Sequence, residues 1–253
     1  MAYFFAIPSD ETRKAIRACL PGINCGVCGF KGCDDYAAAV AEGKAKPNLC
    51  VPGSVEAANK IGDILGIEIP PPKDVVAFVT CNGNLTATSV KAIYIGINTC
   101  RASSAIYSGP NSCTYGCLGY GDCAAACPVN AICMKDGIAH IDTSLCIGCS
   151  LCQSTCPKHI ISMLPRKDQA VVMCSNREKG ISARKQCINA CIGCKKCEKN
   201  CPEKAISVSN NLAYVDHAKC TSCGLCVSEC PTGCLKTFVF PRQNSGVAEP
   251  ADD

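Results

Sequence analysis

Tryptophan is absent from this 253-residue chain, aromatic residues make up 5% of it, and histidine occurs three times. A chain so poor in large rings cannot fill one large core, so several small ones are expected, supported by something besides apolar burial. His140, His159 and His217 share no metal-ligand spacing and read as surface or satisfied side chains. No apolar stretch reaches the ~17 uninterrupted residues needed to cross a bilayer. Phosphate-binding glycine loops, dinucleotide fingerprints and Ser/His/Asp or Cys/His arrangements are all missing, which removes the common nucleotide-dependent and hydrolytic classes. The lysines are dispersed rather than gathered into a tract, so the formal charge of +4 does not mark a nucleic-acid surface.

What is present in excess is cysteine, at 27 residues. That density can signal a disulfide scaffold. Here the number is odd, no apolar signal segment opens the chain, and triplets two residues apart suit a metal better than separate sulfur partners. A reducing, cytosolic setting is therefore expected, with metal binding coupled to folding. With twenty thiolates and five oxidised cubane cores, the loaded chain carries a formal charge of about −6.

Cys191, Cys194, Cys197, Cys201 and Pro202 read C-x2-C-x2-C-x3-C-P, the run that holds a cubane with its first three thiolates and lends the fourth to a second cluster. Cys220, Cys223, Cys226, Cys230 and Pro231 form the exchange partner. The same pattern lies 74 residues earlier in Cys117, Cys123, Cys127, Cys146, Cys149, Cys152 and Cys156, with Cys113 matching Cys187 and Cys100 matching Cys174. Repetition of this kind means duplication of one supersecondary unit. The first copy departs once, with Tyr120 at the position of Cys194, and Cys113 is the nearest thiol to replace it.

The exchange rule then assigns Cys113, Cys117, Cys123 and Cys156 to one cluster, and Cys127, Cys146, Cys149 and Cys152 to its neighbour. In the second copy, Cys191, Cys194, Cys197 and Cys230 oppose Cys201, Cys220, Cys223 and Cys226. Near the N-terminus, Cys25, Cys28, Cys33 and Cys50, interspersed with glycines, form a further four-thiol site. A cubane is the functional reading there, with structural zinc as the alternative. The total is five [4Fe-4S] clusters on twenty cysteines. Cys19, Cys81, Cys100, Cys133, Cys174, Cys187 and Cys234 remain, expected as buried packing thiols. On this assignment, removing Cys113 costs a cluster and removing its counterpart Cys187 does not.

The expected class is α+β, in small domains organised by clusters. Residues 1–69 form the N-terminal domain, 70–112 a linker and strand segment opened by Pro70-Pro71-Pro72, 113–165 and 166–240 two tandem ferredoxin modules, and 241–253 a polar tail. Helices are expected over Arg13 to Leu20, Tyr36 to Ala41 and Ser54 to Ile67. Strands are expected at Val75 to Val79, Ile93 to Ile97, Gly137 to Ile141 and Leu212 to Val215. Tyr3 to Ile7 is either a terminal strand or the edge of a membrane anchor.

The motif Cys25-Gly26-Val27-Cys28-Gly29 through Gly32-Cys33, with Tyr36-Ala37 and Asn48-Leu49-Cys50-Val51-Pro52-Gly53, resembles the iron–sulfur domain of the B subunits of the Rnf complexes. A similar site occurs in the related corrinoid iron–sulfur proteins. The run Cys113 to Cys123 and the run Cys187 to Cys201 extend the resemblance over about residues 9 to 240. The resemblance implies an electron-transfer subunit of a membrane-bound ferredoxin:NAD+ oxidoreductase that translocates Na+ or H+. Soluble ferredoxin and the other Rnf subunits would be its partners. It would lie peripherally at the cytoplasmic face of a bacterial or archaeal cell membrane, held by the complex or by a membrane helix that the family carries at its N-terminus. A multi-cluster subunit of a hydrogenase or of a corrinoid-activating system is the alternative.

Overall fold

A computed structural model describes residues 10–70 and 74–240. The terminal stub at Tyr3 to Ile7, Pro71, Pro72 and the tail at 241–253 lie outside the described residues.

Three helices build the N-terminal unit: α1 (Asp10–Cys19), α2 (Cys33–Ala41) and α3 (Ser54–Leu65). Asp10 and Glu11 sit in the first turn of α1, where acidic groups suit the exposed amides, and Gly66 closes α3 in the left-handed conformation at φ +66°. Ile16, Tyr36, Val40, Ala58 and Ile61 interlock into a small core with no strand in it. The Tyr36 hydroxyl donates to the Lys46 carbonyl at 2.9 Å and accepts from the Leu49 amide at 3.1 Å, fixing the loop that delivers Cys50.

The rest of the chain alternates short strands and helical turns: β1 (Val75–Val79), α4 (Cys100–Ala105), α5 (Asp122–Ala125), β2 (Ile132–Lys135), β3 (Ile138–Ile141), α6 (Leu151–Thr155) and β4 (Ile161–Pro165). The second copy follows as β5 (Gln169–Val172), α7 (Gly180–Gln186), α8 (Lys196–Lys199), β6 (Ile206–Ser209), β7 (Leu212–Val215), α9 (Leu225–Ser228) and β8 (Leu235–Phe238). Each copy has a tight hairpin, β2 with β3 or β6 with β7, and an outer antiparallel pair, β1 with β4 or β5 with β8. Ile206, Leu212, Ala213 and Leu235 pack with cysteines in one copy, as Ile132, Ile138, Ala139 and Ile161 do in the other.

Two expectations change. β1, expected in a linker segment, is the outer strand of the first module, because its closing partner lies at the module's far end and pairs Val79 with Ile161. The stretch from Cys81 to Ser112 is thus an insertion within a module rather than a connection between domains. Ile93 to Ile97 forms no strand. Its β-branched alternation has no neighbouring strand to bond, and Ile93 and Ile95 stand 89% and 91% exposed.

The two outer sheets meet face to face. Val76, Phe78, Leu164, Val171 and Phe240 make a core between the modules, with Phe78 edge-on to Phe238 at a centroid distance of 4.6 Å. The insertion adds a second joint: the Ile188 amide donates to the Ala87 carbonyl at 2.9 Å, and the Asn189 side chain donates to the Asn82 carbonyl at 2.9 Å.

Candidate iron–sulfur sites

In the N-terminal unit, the turn from Cys25 to Cys33 and the loop ending at Cys50 bring four thiols together. Asn24 accepts from the Cys33 amide at 2.8 Å through its side-chain oxygen, which holds that turn shut. Burial first, and then the neighbouring Cys33, Cys25 and Cys28, push the Cys50 thiol up to about 11.

Cys127, Cys146, Cys149 and Cys152 converge in the first module, as the mutual effect of their charges on Cys152 shows. Backbone amides point at the sulfurs: Ala131 donates to Cys127 at 3.3 Å and Ala77 to Cys146 at 3.5 Å. Arg166 clamps the Cys146 loop, donating to the Thr143 and Cys146 carbonyls at 2.6 and 2.7 Å and to Asp74 at 2.9 Å. Gly148 in this loop has φ +68°, and a Cβ there would stand 2.5 Å from the Val75 carbonyl. Only glycine lets the cysteine loop ride against β1. The same loop faces the N-terminal unit, with Cys25 among the groups that raise the Cys149 thiol after burial itself.

In the second module, Cys201, Cys220, Cys223 and Cys226 repeat this group, and the Ala205 amide donates to Cys201 at 3.3 Å in place of Ala131. Cys191, Cys194, Cys197 and Cys230 line one cavity, and Cys234 joins them. Cys234 is buried and its sulfur lies 3.6 Å from that of Cys230. Its thiol hydrogen bonds hold Cys191 and Cys230 below the ordinary thiol range and drive its own pKa up. Cys234 is therefore a fifth thiol in contact with this group. Spacing could not assign this role, because the matching position in the first copy is Ile160.

The remaining first-module group differs from expectation. Cys117, Cys123 and Cys156 line a cavity whose fourth thiol is Cys100, not Cys113. Cys100 opens α4, and Asp122 at the start of α5 holds that helix in place, accepting from the Cys100 and Arg101 amides at 2.9 and 3.0 Å. An acidic side chain caps a helix from outside its own segment and delivers a thiol where the repeat has lost one. Cys113 lies instead in a separate cavity with Cys81, Cys174 and Cys187. The expected match of Cys100 with Cys174 thus joins residues in different surroundings.

The donor sets fit cubanes on two grounds. They are all thiol, and backbone N–H groups are directed at the sulfurs, as suits an anionic iron–sulfur core. Among the described residues, no group of three or more His, Cys, Asp or Glu side chains is placed to hold a single metal ion. A tetrahedral zinc site would need sulfurs all within ~2.3 Å of one point. The fold and these sites define an iron–sulfur protein of the multi-cluster ferredoxin class.

Comparison with known proteins gives the family. An Fe-S cluster family model matches residues 20–52, a 4Fe-4S binding domain matches residues 139–162, and a 4Fe-4S dicluster domain matches residues 190–234. The chain is 40% identical over 235 residues to the B subunit of the Na+-translocating ferredoxin:NAD+ oxidoreductase complex of Acetobacterium woodii, covering 92% of this chain and 71% of that protein. It is 41% identical to the B subunit of the proton-translocating ferredoxin:NAD+ oxidoreductase complex of Clostridium ljungdahlii, covering 93% and 84%. Against the B subunit of the ion-translocating oxidoreductase complex of Methanosarcina acetivorans the identity is 38%, covering 90% and 86%. The chain belongs to the family of B subunits of ion-translocating oxidoreductase complexes, iron–sulfur electron-transfer proteins.

Proposed function

We propose that this chain takes electrons from reduced ferredoxin and relays them along a row of [4Fe-4S] clusters to the other subunits of an ion-translocating complex. The observation that carries the reading is the adjacency of the sites. Cys25 of the N-terminal group acts on Cys149 of the next, and the exchange of Cys156 and Cys127 interlocks the two groups of the first module. When bound, each cluster supplies one-electron oxidation and reduction without moving heavy atoms. The protein's part is to hold the thiolates, aim amides at them and exclude water, which together set potential.

The ligand sets we assign are Cys25, Cys28, Cys33 and Cys50; Cys100, Cys117, Cys123 and Cys156; Cys127, Cys146, Cys149 and Cys152; Cys191, Cys194, Cys197 and Cys230; and Cys201, Cys220, Cys223 and Cys226. This keeps nineteen of the twenty expected ligands and exchanges Cys113 for Cys100. The position we assign is the cytoplasmic face of the cell membrane, docked on partner subunits. Among the described residues, no helix is long and apolar enough to cross a bilayer.

The test is anaerobic reconstitution followed by addition of reduced ferredoxin. The broad visible absorption of the loaded chain is expected to bleach with reduced ferredoxin and to stay unchanged with NADH alone. A folded, colourless, iron-free protein would overturn the cluster reading. An iron-loaded chain that ferredoxin does not reduce would overturn the choice of donor and favour a hydrogenase or corrinoid-activating partner.

A further inference from the structure

Four of the thiols outside those five sets are not scattered through the fold. Cys81, Cys113, Cys174 and Cys187 line one cavity at the joint between the modules. It encloses about 370 Å³ of atom-free space counted out to its mouth, the same as the cavity about Cys100, Cys117, Cys123 and Cys156. Two glycines lie against the sulfurs. A Cβ built on Gly83 would lie 3.4 Å from the Cys187 sulfur and 3.6 Å from that of Cys81, and one on Gly116 would lie 3.6 and 3.7 Å from those of Cys81 and Cys113.

The arrangement has a twofold logic that sequence comparison at a fixed offset hides. Cys81 follows β1 by two residues, and Cys174 follows β5 by two residues. The Cys81 sulfur accepts from the amide two residues on, Gly83, at 3.4 Å, and from the Cys117 amide at 3.4 Å. The Cys174 sulfur accepts from the amide two residues on, Asn176, at 3.4 Å, and from the Cys191 amide at 3.3 Å. Cys117 and Cys191 are themselves equivalent in the repeat, as are Cys113 and Cys187. Each module thus gives one thiol from the end of its outer strand and one from four residues ahead of its first cysteine run. A fifth donor, the side-chain amide of fully buried Asn176, points at the Cys113 sulfur at 3.6 Å.

We propose that Cys81, Cys113, Cys174 and Cys187 hold one further [4Fe-4S] cluster, shared between the two ferredoxin modules. Four thiols with five N–H groups directed at their sulfurs are the donor set of an anionic core. The location gives it a purpose. The Cys117 sulfur belongs to the first module's neighbouring site and its amide touches Cys81, while Cys191 does the same for the second module through Cys174. A cluster here joins the two modules into one row. An electron leaving one cluster reduces the next by one unit, with ferredoxin as the reductant, and no proton or ligand is exchanged. The proposal rests on the reading that the other thiol sets hold [4Fe-4S] clusters, and the test separates the two.

The whole chain is reconstituted with ferrous iron and sulfide, and clusters are counted by native mass spectrometry and by iron analysis. Six cluster increments and about 24 irons are expected, at four per cubane. Cys81→Ser, Cys174→Ser and Cys187→Ser are each expected to lose about four irons, while Cys133→Ser, which changes an exposed thiol on β2, loses none. Five increments in the unaltered chain, with iron near twenty and insensitive to all three serine variants, would overturn the shared site and leave the other five standing. A chain that takes up no cluster at all would overturn both. The count on the unaltered protein decides the matter even if a variant fails to fold.

Discussion

The first and second ferredoxin modules carry the same hairpin, the same two helical turns and the same outer strand pair, yet they gather their leading thiols differently. In the second, all three thiols of the leading run sit within seven residues, on the loop opening α8. In the first, Tyr120 occupies the middle position, and the thiol that lines the cavity with Cys117, Cys123 and Cys156 is Cys100, twenty residues upstream in an insertion that the second copy lacks. The second copy has its own addition, Cys234 in place of Ile160, whose sulfur lies 3.6 Å from that of Cys230. On the ligand sets we propose, a duplicated cluster site is defended at the level of geometry rather than sequence position. Any segment that can bring a thiol to the right corner will serve, provided something holds the segment there.

The comparison can be tested by moving the thiol back. Cys100→Ala is expected to cost the first module one cluster, about four irons, and Cys100→Ala with Tyr120→Cys is expected to restore it, since Cys194 does the same work in the second copy. Iron analysis and electron paramagnetic resonance of the reduced protein read both outcomes; unchanged iron in the single variant would return Cys113 to the ligand set.

A smaller effect is expected from Asp122→Asn, which weakens the two charge-assisted bonds to α4 at 2.9 and 3.0 Å. A loss of about 1–2 kcal/mol in that cap is expected. It should appear as faster iron release to a chelator from the first module alone, with the second module unaffected. Equal release from both would mean that α4 is held by other contacts.

The mildest change is Cys234→Ile, which gives the second copy the side chain of the first. Iron content should stay constant while the potential of the adjacent cluster falls, because a donor that favours the more negative reduced state is gone. Redox titration of the variant against the parent checks the sign.

Much of this molecule is legible in its sequence. Cysteine spacing records ligand geometry almost directly, since a C-x2-C turn has few shapes, and nineteen of the assigned ligands follow from it alone. The hairpins are readable for a similar reason: Gly137-Ile138-Ala139-His140-Ile141 and Leu212-Ala213-Tyr214-Val215 sit between turn signals with inward apolar faces. Ile93 to Ile97 misleads because its alternation looks like a strand, while strand formation needs a partner that the insertion does not supply. Cys81 and Cys174 are hidden by the same insertion. They lie 93 residues apart, while every other pair in the repeat lies 74 apart, so a search at one offset pairs Cys174 with the wrong thiol. Pairing of β1 with β4 across some eighty residues is equally beyond local pattern.

That long closure has a consequence for how the molecule is made. The core of the helical N-terminal unit is built from residues 16–69 alone and can close before the modules are synthesised, whereas β1 must wait for β4, and β5 for β8. Cys81 emerges nearly a hundred residues before Cys174. Iron and sulfide delivered early can find the first site finished while the joint between the modules is still half synthesised, and the thiols of the joint, complete at Cys187, are all in place before those of the second module, which end at Cys226 and Cys230, so loading can follow the chain from one end to the other.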